Sequence, residues 1–137
     1  MAPDLAVAEM KCAVLGSPIS HSLSPAMHRA AYAALGLAGS YGSFDVGEGE
    51  LAHFLAEHAN WRGFSVTAPL KREAAELAVQ RDQIVQTLSV ANTLVATEEG
   101  WSAYNTDVPG AANALRQVHE QSLRTVRILG AGATAAS

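Results

Sequence analysis

The chain has 137 residues, 49% of them apolar and 16% charged, which fits one folded unit and excludes a disordered tail or a collagen-like chain. Nine basic against 13 acidic residues give a formal net charge of −4 with no basic cluster, so neither a nucleic acid nor an anionic membrane is an expected partner. The single cysteine, Cys12, excludes an internal disulfide and points to a reducing, cytoplasmic setting.

Residues 1–10, MAPDLAVAEM, read as a frayed start, too short and too acidic for a signal peptide. Residues 11–15, KCAVL, predict a short strand with Cys12 as a small core residue, ended by Gly16-Ser17-Pro18. After the polar loop ISHSLSP, Ser24 is the candidate N-cap and Pro25 the first position of a helix that stops at Gly36. Residues 40–46 alternate weakly as a strand, and residues 49–59 form an amphipathic helix. GFSVT at 63–67 is the next strand, and Pro69 opens a helix reaching about residue 79.

A further helix covers 82–88, and residues 91–97 and 101–104 form a hairpin across Glu98-Glu99-Gly100. A helix follows over 109–118, then a strand at 124–129 that runs into GAGATAAS. Strands alternating with helices at single-crossover spacing imply an α/β fold whose sheet is mostly parallel and flanked by helices. Alanine occurs 27 times and carries little area, so the larger apolar side chains must supply the core. The five histidines show no metal-ligand spacing, and no metal is expected. The longest uncharged run, residues 12–28, contains Gly16, Pro18 and Pro25 and cannot be one membrane helix.

Several polar residues are candidates for chemistry. Ser22 and Ser24 stand two apart, so in an extended loop both hydroxyls point one way and can donate to a carboxylate; the plainer role of Ser24 is helix capping. Lys71 stands near a helix N-terminus, where the macrodipole favours anions, and that misplacement hints at a non-structural role. Asp107 follows Asn105 and Thr106 at a strand-to-helix junction, an ordinary place for a capping aspartate. Asn92 offers two donors and an acceptor suited to vicinal hydroxyls, with Thr67 and Thr106 as further polar groups. Gly130-Ala131-Gly132-Ala133-Thr134-Ala135 matches the G-x-G-x-x-A dinucleotide fingerprint directly after a predicted strand.

GSPISHSLSPAMH (16–28), SVTAPLK (65–71), ANTL (91–94) and YNTDVPG (104–110), with GAGATA behind them, resemble the shikimate dehydrogenase family in kind and order. The resemblance spans residues 11–137. It implies NADPH-dependent, reversible reduction of 3-dehydroshikimate to shikimate on the way to chorismate and the aromatic amino acids. Behind the frayed start at 1–10, it implies a substrate-binding domain over 11–107, a linker helix over 108–123, and at 124–137 the first strand and glycine loop of a Rossmann domain. On this resemblance Lys71 and Asp107 are catalytic. Ser22 and Ser24 bind the carboxylate, and Thr67, Asn92 and Thr106 contact the rest of the substrate. Gly130, Gly132 and Ala133 approach NADP, with NAD left open, and a homodimer is compatible with the family.

A lysine removes a proton near neutral pH only if desolvation lowers its pKa, whereas a nearby carboxylate favours its charged form. Which of Lys71 and Asp107 is the formal base therefore stays open. Two departures stand out: Ser65 where the family commonly has asparagine, and Ser89-Val90-Ala91 where it has Gly-Ala-Val. The shorter side chain of Ser65 predicts that its direct bond to the substrate is missing or bridged by water; the second departure predicts a slightly different turn. The later family elements are absent from these residues, so the chain is expected to be the front of a longer enzyme and inactive alone. The other readings are a quinate/shikimate dehydrogenase using NAD, a non-catalytic module that binds shikimate-like acids, and an α/β domain without a ligand.

Overall fold

The structure, a computed structural model, describes residues 10–118 and 124–137. The elements run β1 (Met10–Gly16), α1 (Ser24–Leu35), β2 (Gly39–Asp45), α2 (Leu51–Glu57), β3 (Gly63–Val66), α3 (Lys71–Leu77), β4 (Gln80–Arg81), α4 (Gln83–Leu88), β5 (Thr93–Thr97), β6 (Gly100–Tyr104), α5 (Asp107–Val118) and α6 (Ala133–Ala136). One six-stranded sheet has the order β2-β1-β3-β5-β6-β4. β1 pairs in parallel with β2 and β3, and β4 with β6. The β3–β5 and β5–β6 pairings are antiparallel. The expected α/β sheet, mostly parallel and flanked by helices, is the fold.

β1 reads as a continuous apolar run because both of its faces are covered. Ala13 and Leu15 point into a core made with Leu51 and Leu55 of α2, Ala74 and Ala75 of α3, Val85 of α4, and Phe64, Val66 and Leu94 of neighbouring strands. Val14 points the other way, to Ile19 and Tyr41, with Cys12 and Tyr32 packed beside them. The first layer holds the bulk of the large side chains. Trp61 and Trp101 flank Phe64 there, with ring centroids 5.4 and 5.3 Å away. By contrast α1 and α5 bury no residue, and Leu23 and Met27 are 73% and 69% exposed.

Several expectations need correction. Met10 already belongs to β1, and the rest of the expected frayed start lies outside the described residues. Ser24 is the first residue of α1, and its N–H is accepted by the hydroxyl of Ser22 at 3.3 Å. The segment before α1 is a turn, in which the Ser22 N–H donates to the Ile19 carbonyl, so the premise of an extended loop fails. β4 escaped the sequence reading because two residues carry no periodicity.

The expected linker helix is α5, which starts at Asp107 and is described to Val118; residues 119–123 lie outside the described residues. The strand expected at 124–129 is irregular chain that pairs with no strand among the described residues, and Val126, Ile128 and Leu129 are exposed. A parallel strand needs a neighbour to satisfy its ladder, and local sequence cannot supply one.

Candidate active site

The C-terminal ends of β1, β3 and β6 and the N-terminal end of β5 meet along one edge of the sheet. A cleft of about 410 Å³ opens there, lined among others by Ser24, Ser65, Thr67, Lys71, Asn92 and Asp107. Backbone packing brings the strand ends together. The Thr67 N–H donates to the Leu15 carbonyl at 2.9 Å, and the Ser17 N–H to the Ala68 carbonyl at 3.1 Å. Gly16 permits this approach, since a Cβ there would stand 2.8 Å from the Ala68 carbonyl oxygen.

Lys71 opens α3, yet its side chain is only 10% exposed and its ammonium turns into the cleft. Its Nζ donates to Asp107 Oδ2 at 2.6 Å. The electrostatic oddity seen in the sequence is thereby resolved, because a carboxylate from another element neutralises the cation beside the helix N-terminus. Asp107 heads α5, where its own charge suits the macrodipole. Its second oxygen, Oδ1, accepts from Asn92 Nδ2 at 2.8 Å. Asn92 also donates to Thr106 Oγ1 at 2.8 Å, and its Oδ1 accepts the Thr106 N–H at 3.0 Å. Lys71, Asp107, Asn92 and Thr106 thus form one hydrogen-bonded array from three separate stretches of the chain, the starts of α3 and α5 and the connection before β5.

The expected site residues divide. Ser24, Thr67, Lys71, Asn92, Thr106 and Asp107 all line the cleft; Ser22 stands beside them at the first turn of α1, where its hydroxyl accepts the Ser24 N–H and keeps its own hydrogen free to donate. Gly130 and Gly132 precede α6, with Gly130 at φ +120° and open space where either Cβ would stand. Ala133 begins α6, which brings Thr134 Oγ1 within 3.4 Å of Lys71 Nζ, so the glycine turn lies on the lysine side of the cleft. Among the described residues no group of three or more His, Cys, Asp or Glu side chains converges as a metal site. No helix there is long and apolar enough to cross a membrane.

Sequence reasoning missed two features. The Tyr41 hydroxyl donates to Ser65 Oγ at 2.6 Å, and the Tyr41 ring lies flat against His28 with centroids 3.9 Å apart. Burial pushes the Tyr41 phenol up from its ordinary value, which keeps it a protonated donor. Ser65 accordingly has a protein partner at the cleft wall. The other feature is Asn105, whose side-chain oxygen accepts the Asp107 and Val108 N–H groups at 3.0 and 3.2 Å. Asn105 therefore caps α5, and the capping role considered for Asp107 falls to its neighbour. The preference of asparagine for that position was the available signal.

The chain is a mixed α/β domain with a polar, lysine–carboxylate cleft at its strand ends, the edge of the sheet where α/β domains commonly take small ligands. Residues 14–94 match the family model described as the shikimate dehydrogenase substrate binding domain, and the chain belongs to that family. It is 40% identical over 123 residues to a shikimate dehydrogenase (NADP(+)) of Aeropyrum pernix, covering 90% of this chain and 45% of that protein. The shikimate 5-dehydrogenase of Thermus thermophilus, solved with NADP(H) and shikimate, is 38% identical at TM-score 0.75 over 80% of this chain and 42% of that one. The Mycobacterium tuberculosis shikimate dehydrogenase structure is 45% identical at TM-score 0.74, covering 78% and 42% respectively. The chain spans less than half the length of the curated relatives named here.

Proposed function

We propose that this chain is the substrate-binding part of an NADP-dependent shikimate dehydrogenase, which interconverts 3-dehydroshikimate and shikimate in the cytoplasm. The observation that carries the reading is the Lys71–Asp107 pair, 2.6 Å apart in a cleft that also presents Asn92 and Thr106. Residues 11–107 bind the substrate, residues 108–123 link, and residues 124–137 begin the cofactor domain.

Oxidation of an alcohol requires loss of its hydroxyl proton as hydride leaves the carbon. Lys71 Nζ and Asp107 Oδ2 share one proton-bearing contact, so a hydroxyl inserted between them meets both a donor and an acceptor. Asn92 orients Asp107 through Oδ1 and keeps the carboxylate plane fixed. Ser24, at the first turn of α1, presents a hydroxyl for the substrate carboxylate, and Ser22 supports that turn. Ser65, held by Tyr41, and Thr67 line the remaining wall. A nicotinamide dinucleotide, when bound, supplies the hydride acceptor or donor. Gly130, Gly132 and Ala133 would hold it, because the open space beside both glycines admits close backbone approach to a pyrophosphate.

The test is reduction of NADP⁺ by the full-length gene product with shikimate, with quinate and NAD⁺ in parallel. Shikimate-dependent NADPH formation that Lys71→Ala lowers by ~10²-fold or more is expected. Faster turnover of quinate with NAD⁺ would replace the reading by a quinate/shikimate dehydrogenase. Shikimate binding without turnover would make the protein a binding module, and no binding at all would leave an α/β domain of another purpose.

A further inference from the structure

Among the described residues the buried polar side chains are Lys71, Ser102 and Asn105. Asn105 is 2% exposed, lies two residues before Asp107 and does not line the cleft, so it has no route to a ligand. Its hydrogen bonds are nonetheless fully engaged. Oδ1 caps α5 through the Asp107 and Val108 N–H groups, and Nδ2 donates to the Val90 carbonyl at 3.0 Å and to Ser137 Oγ at 2.9 Å. Its own N–H donates to Asp82 Oδ2 at 3.1 Å, while Asp82 Oδ1 caps α4 through the Val85 N–H at 2.7 Å.

The Val90 bond connects this cap to the other half of the pair. The next residue, Ala91, donates its N–H to the Lys71 carbonyl at 2.9 Å. A closed circuit results: from the Lys71 backbone through Ala91 and Val90 to the Asn105 amide, from its oxygen to the Asp107 N–H, and from the Asp107 carboxylate back to Lys71 Nζ. Asn92 braces the carboxylate from the cleft side, and Asn105 is the brace on the core side. A buried amide with both ends bonded has one orientation, so it transmits position rather than flexibility.

We propose that Asn105 is the positioning residue of the Lys71–Asp107 pair, setting the start of α5 against the strap that holds the Lys71 backbone. Its effect on turnover rests on the proposed function, whereas its effect on the pair does not. The chain contains two lysines, Lys71 and the exposed Lys11 on β1. Acetylation of the full-length protein by an amine-reactive ester, read as the Lys71 to Lys11 rate ratio by peptide mass spectrometry, therefore carries its own reference.

Asn105→Ala should raise that ratio roughly five- to tenfold, the size expected from losing one helix cap, and Asn105→Ser by less because serine still caps. In an Asp107→Asn background the same substitutions should leave the ratio unchanged, since no pair is left to loosen. In the assay with shikimate, kcat should fall further than KM rises. An unchanged ratio with Asp107 present would overturn the proposal. So would an equal rise in both backgrounds, which is what a merely structural role produces. If circular dichroism shows Asn105→Ala unfolded, Asn105→Ser decides the matter. Failure of the parent protein to oxidise shikimate would sink the proposed function and leave the acetylation ratio to judge Asn105.

Discussion

Replacing Asp107 by asparagine keeps the shape of the side chain and removes its charge. Both carboxylate oxygens are committed, Oδ2 to the Lys71 ammonium at 2.6 Å and Oδ1 to the Asn92 amide at 2.8 Å. An asparagine must turn its NH₂ toward one of them, and each is a donor, so either orientation sets donor against donor. Removing one partner of a fully buried ion pair costs roughly 3–5 kcal/mol. Here the lysine side chain is 10% exposed and the aspartate 30%, so water recovers part of the loss, and a cost of about 2 kcal/mol is the discounted expectation. Urea unfolding should show a lower midpoint at unchanged slope. Adding Lys71→Met to that variant removes the stranded charge and should restore about 1 kcal/mol, making the double variant more stable than Asp107→Asn alone. In the full-length enzyme Lys71→Ala should lower kcat by ~10²–10⁴-fold, and the double variant should be little worse than the worse single. Additive stability losses, or an Asp107→Asn variant within about 0.5 kcal/mol of the parent, would refute the reasoning.

Ser24→Ala should raise KM for shikimate about tenfold or more by removing a bond of ~1.5–3 kcal/mol to a charged group; Ser22→Ala should move KM less, and equal effects would place Ser22 on the carboxylate as well. Gly16→Ala should destabilise by roughly 1–3 kcal/mol, because its Cβ would press on the Thr67 methyl and on the Ala68 carbonyl oxygen, and the backbone oxygen cannot swing aside; an unchanged unfolding midpoint would show that the strand ends can part freely. Burial, with Cys12 beside it, pushes the Tyr32 phenol up to about 12. The folded form therefore resists ionisation that the unfolded chain undergoes near pH 10, and the stability this group contributes is present below pH 10 and lost between there and pH 12. Tyr32→Phe should remove one of two late-ionising phenols, Tyr32 and Tyr41, from the alkaline absorbance titration, and an unchanged late amplitude would refute the assignment.

Much of the fold was legible along the chain. KCAVL, GFSVT and the hairpin about Glu98-Glu99 carry their own strand signals, and Gly36, with φ +64°, ends α1 where the sequence places its stop. The candidate site was legible as residue types in order: the hydroxyls of Ser24 and Thr67, the misplaced cation of Lys71, and the Asn105-Thr106-Asp107 turn. The sequence by itself determined which elements form and which polar groups stand at their ends, because periodicity, capping and turn chemistry act over a few residues. Only the tertiary structure decided which of those groups meet. The 2.6 Å contact of Lys71 with Asp107 spans 36 positions and depends on strand order. The place of Ser22 at the start of α1 depends on a turn whose bonds compete with the extended form. The segment at 124–129 has strand composition and no ladder, because a strand is completed by its neighbour and the sequence encodes only its own side of that bond.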